Sequence, residues 1–265
     1  MSQCAGLTVP ACSISILAKT GLGEFTSGFF AMDSADHEIH TETFVSNYRE
    51  ALANPQLQRA LANATNRFTL GRKLAVAGVG EDWEPLREQA HAIKAHTIAH
   101  LDRYLDEFST RIEQLGGHVC WARDAAEANE YITGLASQNG VKLAVKSKSM
   151  MTEEIELNHA LAAVGCEGLE TDLGEYIVQL AGERPSHIIA PAIHKTRGDV
   201  ADLFTEKLGV ERNDEIERMT AIARSILRQR FAAAGMGVTG CNFAVAETGT
   251  IVLVENEGNI RLTNS

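Results

Sequence analysis

The chain has 265 residues, 45% of them hydrophobic and 22% charged, which is the composition of a soluble globular protein with enough core to fold without staples. Its 24 Lys+Arg against 35 Asp+Glu leave a net charge of −11, and a surface of that sign repels polyphosphate, which excludes general nucleic-acid binding. The five cysteines (Cys4, Cys12, Cys120, Cys166 and Cys241) form no C-x-x-C pair and suggest no disulfide framework, so a reduced, cytoplasmic compartment is expected.

No apolar run approaches the roughly 20 residues that span a bilayer, so no membrane span is expected. Residues 1–43 read as a flexible leader or as a start placed too early; Lys19 follows the apolar stretch Ser13–Ala18 where a signal peptide would have it precede. The body begins near Phe44 with a helical pattern to Ala64 on Leu52, Leu57 and Leu61. Asp82 then reads as an N-cap, with Pro85 in the first turn, for one long helix to about Leu115. Its apolar side would carry Leu86, Ile93, Ile98, Leu101, Leu105 and Phe108, and Gly116-Gly117 would stop it.

The middle of the chain alternates. Strands are predicted at His118–Ala122, Val141–Val145, Glu167–Glu170 and Ser186–Pro191. Helices are predicted from Asp124, which opens a capping box with Glu127, to about Ser137, then at Thr152–Val164, Leu173–Ala181 and Val200–Leu208. A helix at Asp214–Ala234, with Ile222, Ile226 and Phe231 inward, precedes a hairpin of Asn242–Ala246 and Thr250–Val254 around Glu247-Thr248-Gly249. Strand–helix–strand units of this size predict an α/β fold, a mostly parallel sheet flanked by helices, behind an N-terminal helical segment. Ligands of such sheets gather at the loops leaving the carboxyl ends of the strands. That rule places Lys146–Ser149, Thr171-Asp172 and Ala192–Thr196 along one rim.

Lys146, Ser147, Lys148 and Ser149 lie between a strand and a helix start, where free N–H groups favour a carboxylate or phosphate; the same residues would equally make a solvated basic turn with a hydroxyl cap. Glu170, Asp172 and Glu175 could bind a cation, orient a hydroxyl or supply a base, although Asp172-x-x-Glu175 is itself a capping box, which leaves Glu170 as the catalytic candidate. His194, followed by Lys195, stands beyond the end of the Ser186–Pro191 strand, placed either for a ligand contact or proton transfer or for a plain loop hydrogen bond, and His187 stands at the start of that strand. His96 and His100 have metal-gripping spacing without the glutamate of a zinc-protease helix, so a solvated face, and no metal, is expected. Trp83 and Trp121 read as packing anchors. The glycine-rich Gly235–Asn242 precedes a strand and opens no helix, so it is no dinucleotide fingerprint; its glycines would let backbone approach a ligand or a neighbouring loop. Asn242, Glu247, Thr248, Asn256 and Glu257 either add polar contacts to the same pocket or form the polar tips of a hairpin.

Three phrases, KSKSMMTEEIELN, ETDLGEYIVQLAGERPSHIIAPAIHK and TGCNFAVAETGTIVLVENEGNIR, resemble the lactate-utilisation domain of the iron–sulfur lactate-utilisation protein B family, and the resemblance runs from about Phe44 to the last residue. It implies a fold akin to the sugar-phosphate isomerase and CoA-transferase superfamily. It implies two [4Fe–4S] clusters held by cysteine motifs after that domain, and work with two partner subunits in oxidising L-lactate to pyruvate. The family's motif also matches Glu153, Glu154, Asn158 and Asn259. This chain has no cluster-binding cysteine run, so no cofactor is expected within it, and the expectation is a lactate-utilisation domain over 44–265, truncated before the iron–sulfur segment. Two other functions stay open. One is a stand-alone CoA-transferase- or isomerase-like enzyme, for which Glu247 would be the first nucleophile to suspect. The other is a docking module without catalysis.

Overall fold

A computed structural model describes residues 12–15, 41–183, 185–186 and 190–265. Four short strands, β1 (Cys12–Ser15), β2 (Leu143–Lys146), β3 (Glu167–Glu170) and β4 (Met236–Thr239), form one sheet in the order β1-β4-β2-β3, every pairing parallel. The chain is therefore α/β, with a parallel sheet between helices. Four residues of the expected leader are the edge strand β1. The central strand β4 lies where the sequence reads as a glycine-rich loop. A buried strand needs β-propensity, and Gly235, Gly237 and Gly240 conceal it.

Side chains alternate across the pleat, and each face of the sheet has its own core. Leu143, Val145 and Leu169 face Tyr176, Ile177, Phe204 and Leu227 from helices α8 (Leu173–Ala181), α9 (Arg197–Leu208) and α10 (Ile216–Ala233). Ala144, Met236 and Val238 face Ile132, Ala136, Leu157 and Leu161 from α5 (Ala125–Gln138) and α7 (Leu157–Ala163). Gly237 is required by close approach: a Cβ there would lie 1.9 Å from the carbonyl oxygen of Thr263, on the last helix α11 (Asn259–Thr263).

Upstream, Pro55 opens α2 (Pro55–Val79) after α1 (Thr41–Ala53), and Asn54 caps it through the N–H groups of Gln56 and Leu57. The long helix expected over residues 82–115 is two, α3 (Trp83–Ala99) and α4 (Leu101–Gln114), broken at His100. Asp82 precedes α3 without a side-chain cap bond. Of the apolar residues expected inward, Phe108 is buried, whereas Leu86, Ile93, Ile98 and Leu101 are exposed. No strand forms at His118–Ala122, and Trp121, expected as an anchor, is 48% exposed.

The helix expected at Thr152–Val164 is also two, α6 (Met150–Glu154) and α7, separated by Glu156 in the left-handed conformation (φ 54°). His187, Ile188 and Ile189 lie outside the described residues. Their neighbours Ser186, Ala190 and Pro191 form no strand, and the Ser186 N–H donates to the Pro191 carbonyl (3.0 Å). The antiparallel hairpin β5 (Phe243–Val245) and β6 (Thr250–Val252) forms as predicted.

Candidate functional site

The carboxyl ends of β2, β3 and β4 open on one cavity of about 610 Å³, lined by polar groups and by Met150, Met151, Leu253, Val254 and Ile260. Lys148 and Ser149 reach it from β2, Asp172 from β3, Gly240 to Asn242 from β4, and Asn256 from the segment after the hairpin. Most of its acceptors already have work to do. Ser149 caps α6 through the Thr152 N–H (3.4 Å), and Asp172 caps α8 through the N–H groups of Gly174 (3.0 Å) and Glu175 (3.2 Å). Asn242 Oδ1 accepts from the Val254 N–H (2.8 Å), which ties the hairpin to the rim. Glu255 pairs with Arg261 (3.0 Å), and Glu257, just beyond, accepts from the Leu173 N–H (3.1 Å). Lys148 lines this cavity, is exposed, and makes no ion pair with a described residue.

Lys146 behaves differently from Lys148. It is buried completely, and its Nζ lies 2.6 Å from Glu170 Oε1, the residue that faces it across the β2–β3 register. Asn158 Nδ2 donates to the same oxygen (3.0 Å), and Gln179 Oε1 accepts from the Glu170 N–H (3.0 Å). The pair therefore neutralises itself, and Lys146 is not available as counter-charge to a ligand. It opens on a second cavity of about 500 Å³, lined also by Glu153, Asn158, Glu175 and Gln179. Met150 lines both cavities.

Two carboxyls in this second cavity hold protons more tightly than usual. Burial, then the neighbouring Glu170, pushes Glu153 up to about 7, with Lys146 and Lys148 pulling the other way. Burial, then Glu170, Glu153 and Asp172, pushes Glu175 up to about 9. The expected capping box is thus half realised: Asp172 caps, while Glu175 turns into the protein. Sequence reasoning weighed Glu175 mainly as the partner of a capping box and reached Glu153 and Asn158 only through the family resemblance. No spacing announces them, because they stand on three different helices and meet through strand register.

The remaining candidates lie elsewhere. His194 Nε2 is 2.6 Å from Glu183 Oε2, and Lys195 also pairs with Glu183; these line a third cavity of about 620 Å³ with Leu57, Asp199 and Asp202. Glu183, held below the usual carboxylate range by Lys195 first, borders the second cavity as well. Ser147 is buried and donates its N–H to the Val238 carbonyl (2.9 Å), as part of the sheet. Glu247 and Thr248 are exposed on the hairpin turn. The Glu247 carbonyl accepts from Arg111 Nε (3.0 Å) on α4, and Thr248 Oγ1 donates to Thr250 Oγ1 (2.8 Å). Neither residue lines any of the three cavities.

His96 and His100 stack on the surface with ring centroids 4.4 Å apart, and His96 Nε2 bonds the Tyr104 hydroxyl (3.0 Å). Among the described residues no group of His, Cys, Asp and Glu is arranged to hold a metal ion. Cys166 is buried in the core, Cys120 borders α4, and Cys241 lies at the rim, so the three described thiols do not fit a shared iron–sulfur cluster.

Residues 105–265 match the family model for the LUD domain. The chain belongs to the LUD domain family. Three relatives, each named Lactate utilization protein B, from Bacillus thuringiensis (strain Al Hakam), Bacillus cereus (strain B4264) and Bacillus anthracis (strain A0248), are 45% identical over 228 residues. The match covers 86% of this chain and 48% of each relative, so the chain spans about half the length of the curated relatives it matches. No solved structure matches. The LUD segment contains β2 to β4 and the whole of the 610 Å³ cavity, whereas α1 to α3 precede it. No helix among the described residues is long and apolar enough to cross a membrane.

Proposed function

We propose that this LUD chain serves lactate utilisation by binding a small 2-hydroxy acid, lactate, in the cavity at the carboxyl ends of β2, β3 and β4. The observation that carries the reading is convergence: Lys148, Ser149, Asp172, Asn242 and Asn256, from four separate loops, line one cavity. The exposed ammonium of Lys148 supplies the counter-charge for the carboxylate. The side-chain amides of Asn242 and Asn256 offer donors and acceptors for the hydroxyl. The name shared by the relatives supports lactate as the acid.

In the wider reading the whole protein is a cytoplasmic subunit of an iron–sulfur complex that oxidises L-lactate to pyruvate with two other subunits and passes on the electrons. In that reading the part of this chain is to bind and orient the substrate.

Titration of the full chain with L-lactate tests the binding role. Lys148→Glu should weaken binding at least about tenfold, since a charge-assisted hydrogen bond contributes roughly 1.5–3 kcal/mol. Lactate affinity that survives this change, or an absence of saturable binding to the unmodified chain, would remove the reading.

A further inference from the structure

The helices ahead of the LUD segment have little to pack on. No described side chain of α2 or α3 is buried. Phe68 is 46% exposed, Leu86 53% and Ile93 59%. The two helices meet at the turn Gly80–Asp82 and do not pack along their lengths. Each nevertheless carries an apolar stripe at coiled-coil spacing: Leu61, Ala64, Phe68 and Ala75 on α2, and Trp83, Leu86, Ala90 and Ile93 on α3. Stripes of this kind face a partner, and a contiguous exposed apolar surface marks an association site.

Charge indicates which partner. Helix α2 carries Arg59, Arg67, Arg72 and Lys73 and no carboxylate, in a chain of net charge −11, so the other residues together carry −15. The turn and the first half of α3 carry Glu81, Asp82, Glu84 and Glu88 against Arg87, and the second half adds Lys94. Two α2 helices set against each other would oppose like charges, whereas α2 against α3 brings cations to carboxylates. A basic amphipathic helix can also lie on an anionic membrane. Here the carboxylates of the adjoining turn and the acidic remainder of the chain oppose that.

We propose that α2 and α3 are the interface of a two-fold homodimer, α2 of each copy packing on α3 of its partner to complete a four-helix layer. The contact is isologous: each copy offers the basic α2 and the acidic turn with the first half of α3, so every α2–α3 pairing is made twice.

Light scattering on the full chain, from about 1 to 100 μM, decides the matter. A mass of twice 28.7 kDa is expected. Phe68→Glu with Ile93→Glu should give a monomer with unchanged circular dichroism, because both side chains are exposed. Arg67→Glu with Arg72→Glu should weaken association at least tenfold, and adding Glu84→Arg with Glu88→Arg should restore it. A monomer throughout the range overturns the proposal. So does a charge-swapped quadruple variant that fails to dimerise, and so does a monomer that instead sediments with phosphatidylserine vesicles.

Discussion

Lys146 and Glu170 have side chains 1% and 7% exposed, and withdrawing either charge from water alone would cost several kcal/mol. Their 2.6 Å contact and the Asn158 amide offset that cost, and the surrounding carboxyls adapt by keeping protons. The Glu175 carboxyl, raised from 4.5 to about 9, is protonated in the folded chain and ionised in the unfolded chain across that interval. Its contribution to stability is complete below the unfolded value and is lost as pH rises through the folded one. Glu153, raised to about 7, acts in the same direction over a narrower window. Melting temperature should therefore fall between about pH 5 and pH 9, and fall less in Glu175→Gln, which stays neutral. The two curves should diverge by at least about 2–4 °C, the shift that ~1 kcal/mol produces in a protein of this size. Parallel curves by calorimetry would contradict the buried proton. At this scale the sequence singled out both members of the ion pair, yet it assigned Lys146 to a ligand. A lysine's partner is a matter of strand register, and register is invisible in composition.

Helix ends were legible where a single side chain decides them. Asp124 caps α5, Asp172 caps α8, and Thr196 with Asp199 forms a full capping box on α9. Helix interiors were not. The break at His100 and the left-handed Glu156 follow no proline or glycine, so nothing local marks them. Strand β4 was hidden for the opposite reason: its glycine lowers strand propensity and is kept because α11 closes over it. Gly237→Ala should consequently cost about 1–3 kcal/mol or more in urea unfolding, since the added methyl meets a carbonyl that only a shift of α11 can clear. Unchanged stability would mean that α11 is not seated there.

Two cores, one on each face of the sheet, share strand β2 and so should unfold as one. Phe204→Ala on one face and Leu161→Ala on the other remove fully buried side chains and should each cost about 2–5 kcal/mol with an unchanged denaturant slope. A second transition in either variant would show that the faces melt separately. The α/β class, most helices, the hairpin and the family were all readable before any coordinates, because periodicity, caps and turn residues act over a few neighbours. Which strand is central, which lysine is paired, and which rim loops share a cavity were not. Those depend on β4 inserting beside β2 from about ninety residues away, a contact that Ser147 and Val238 seal and that no local pattern encodes.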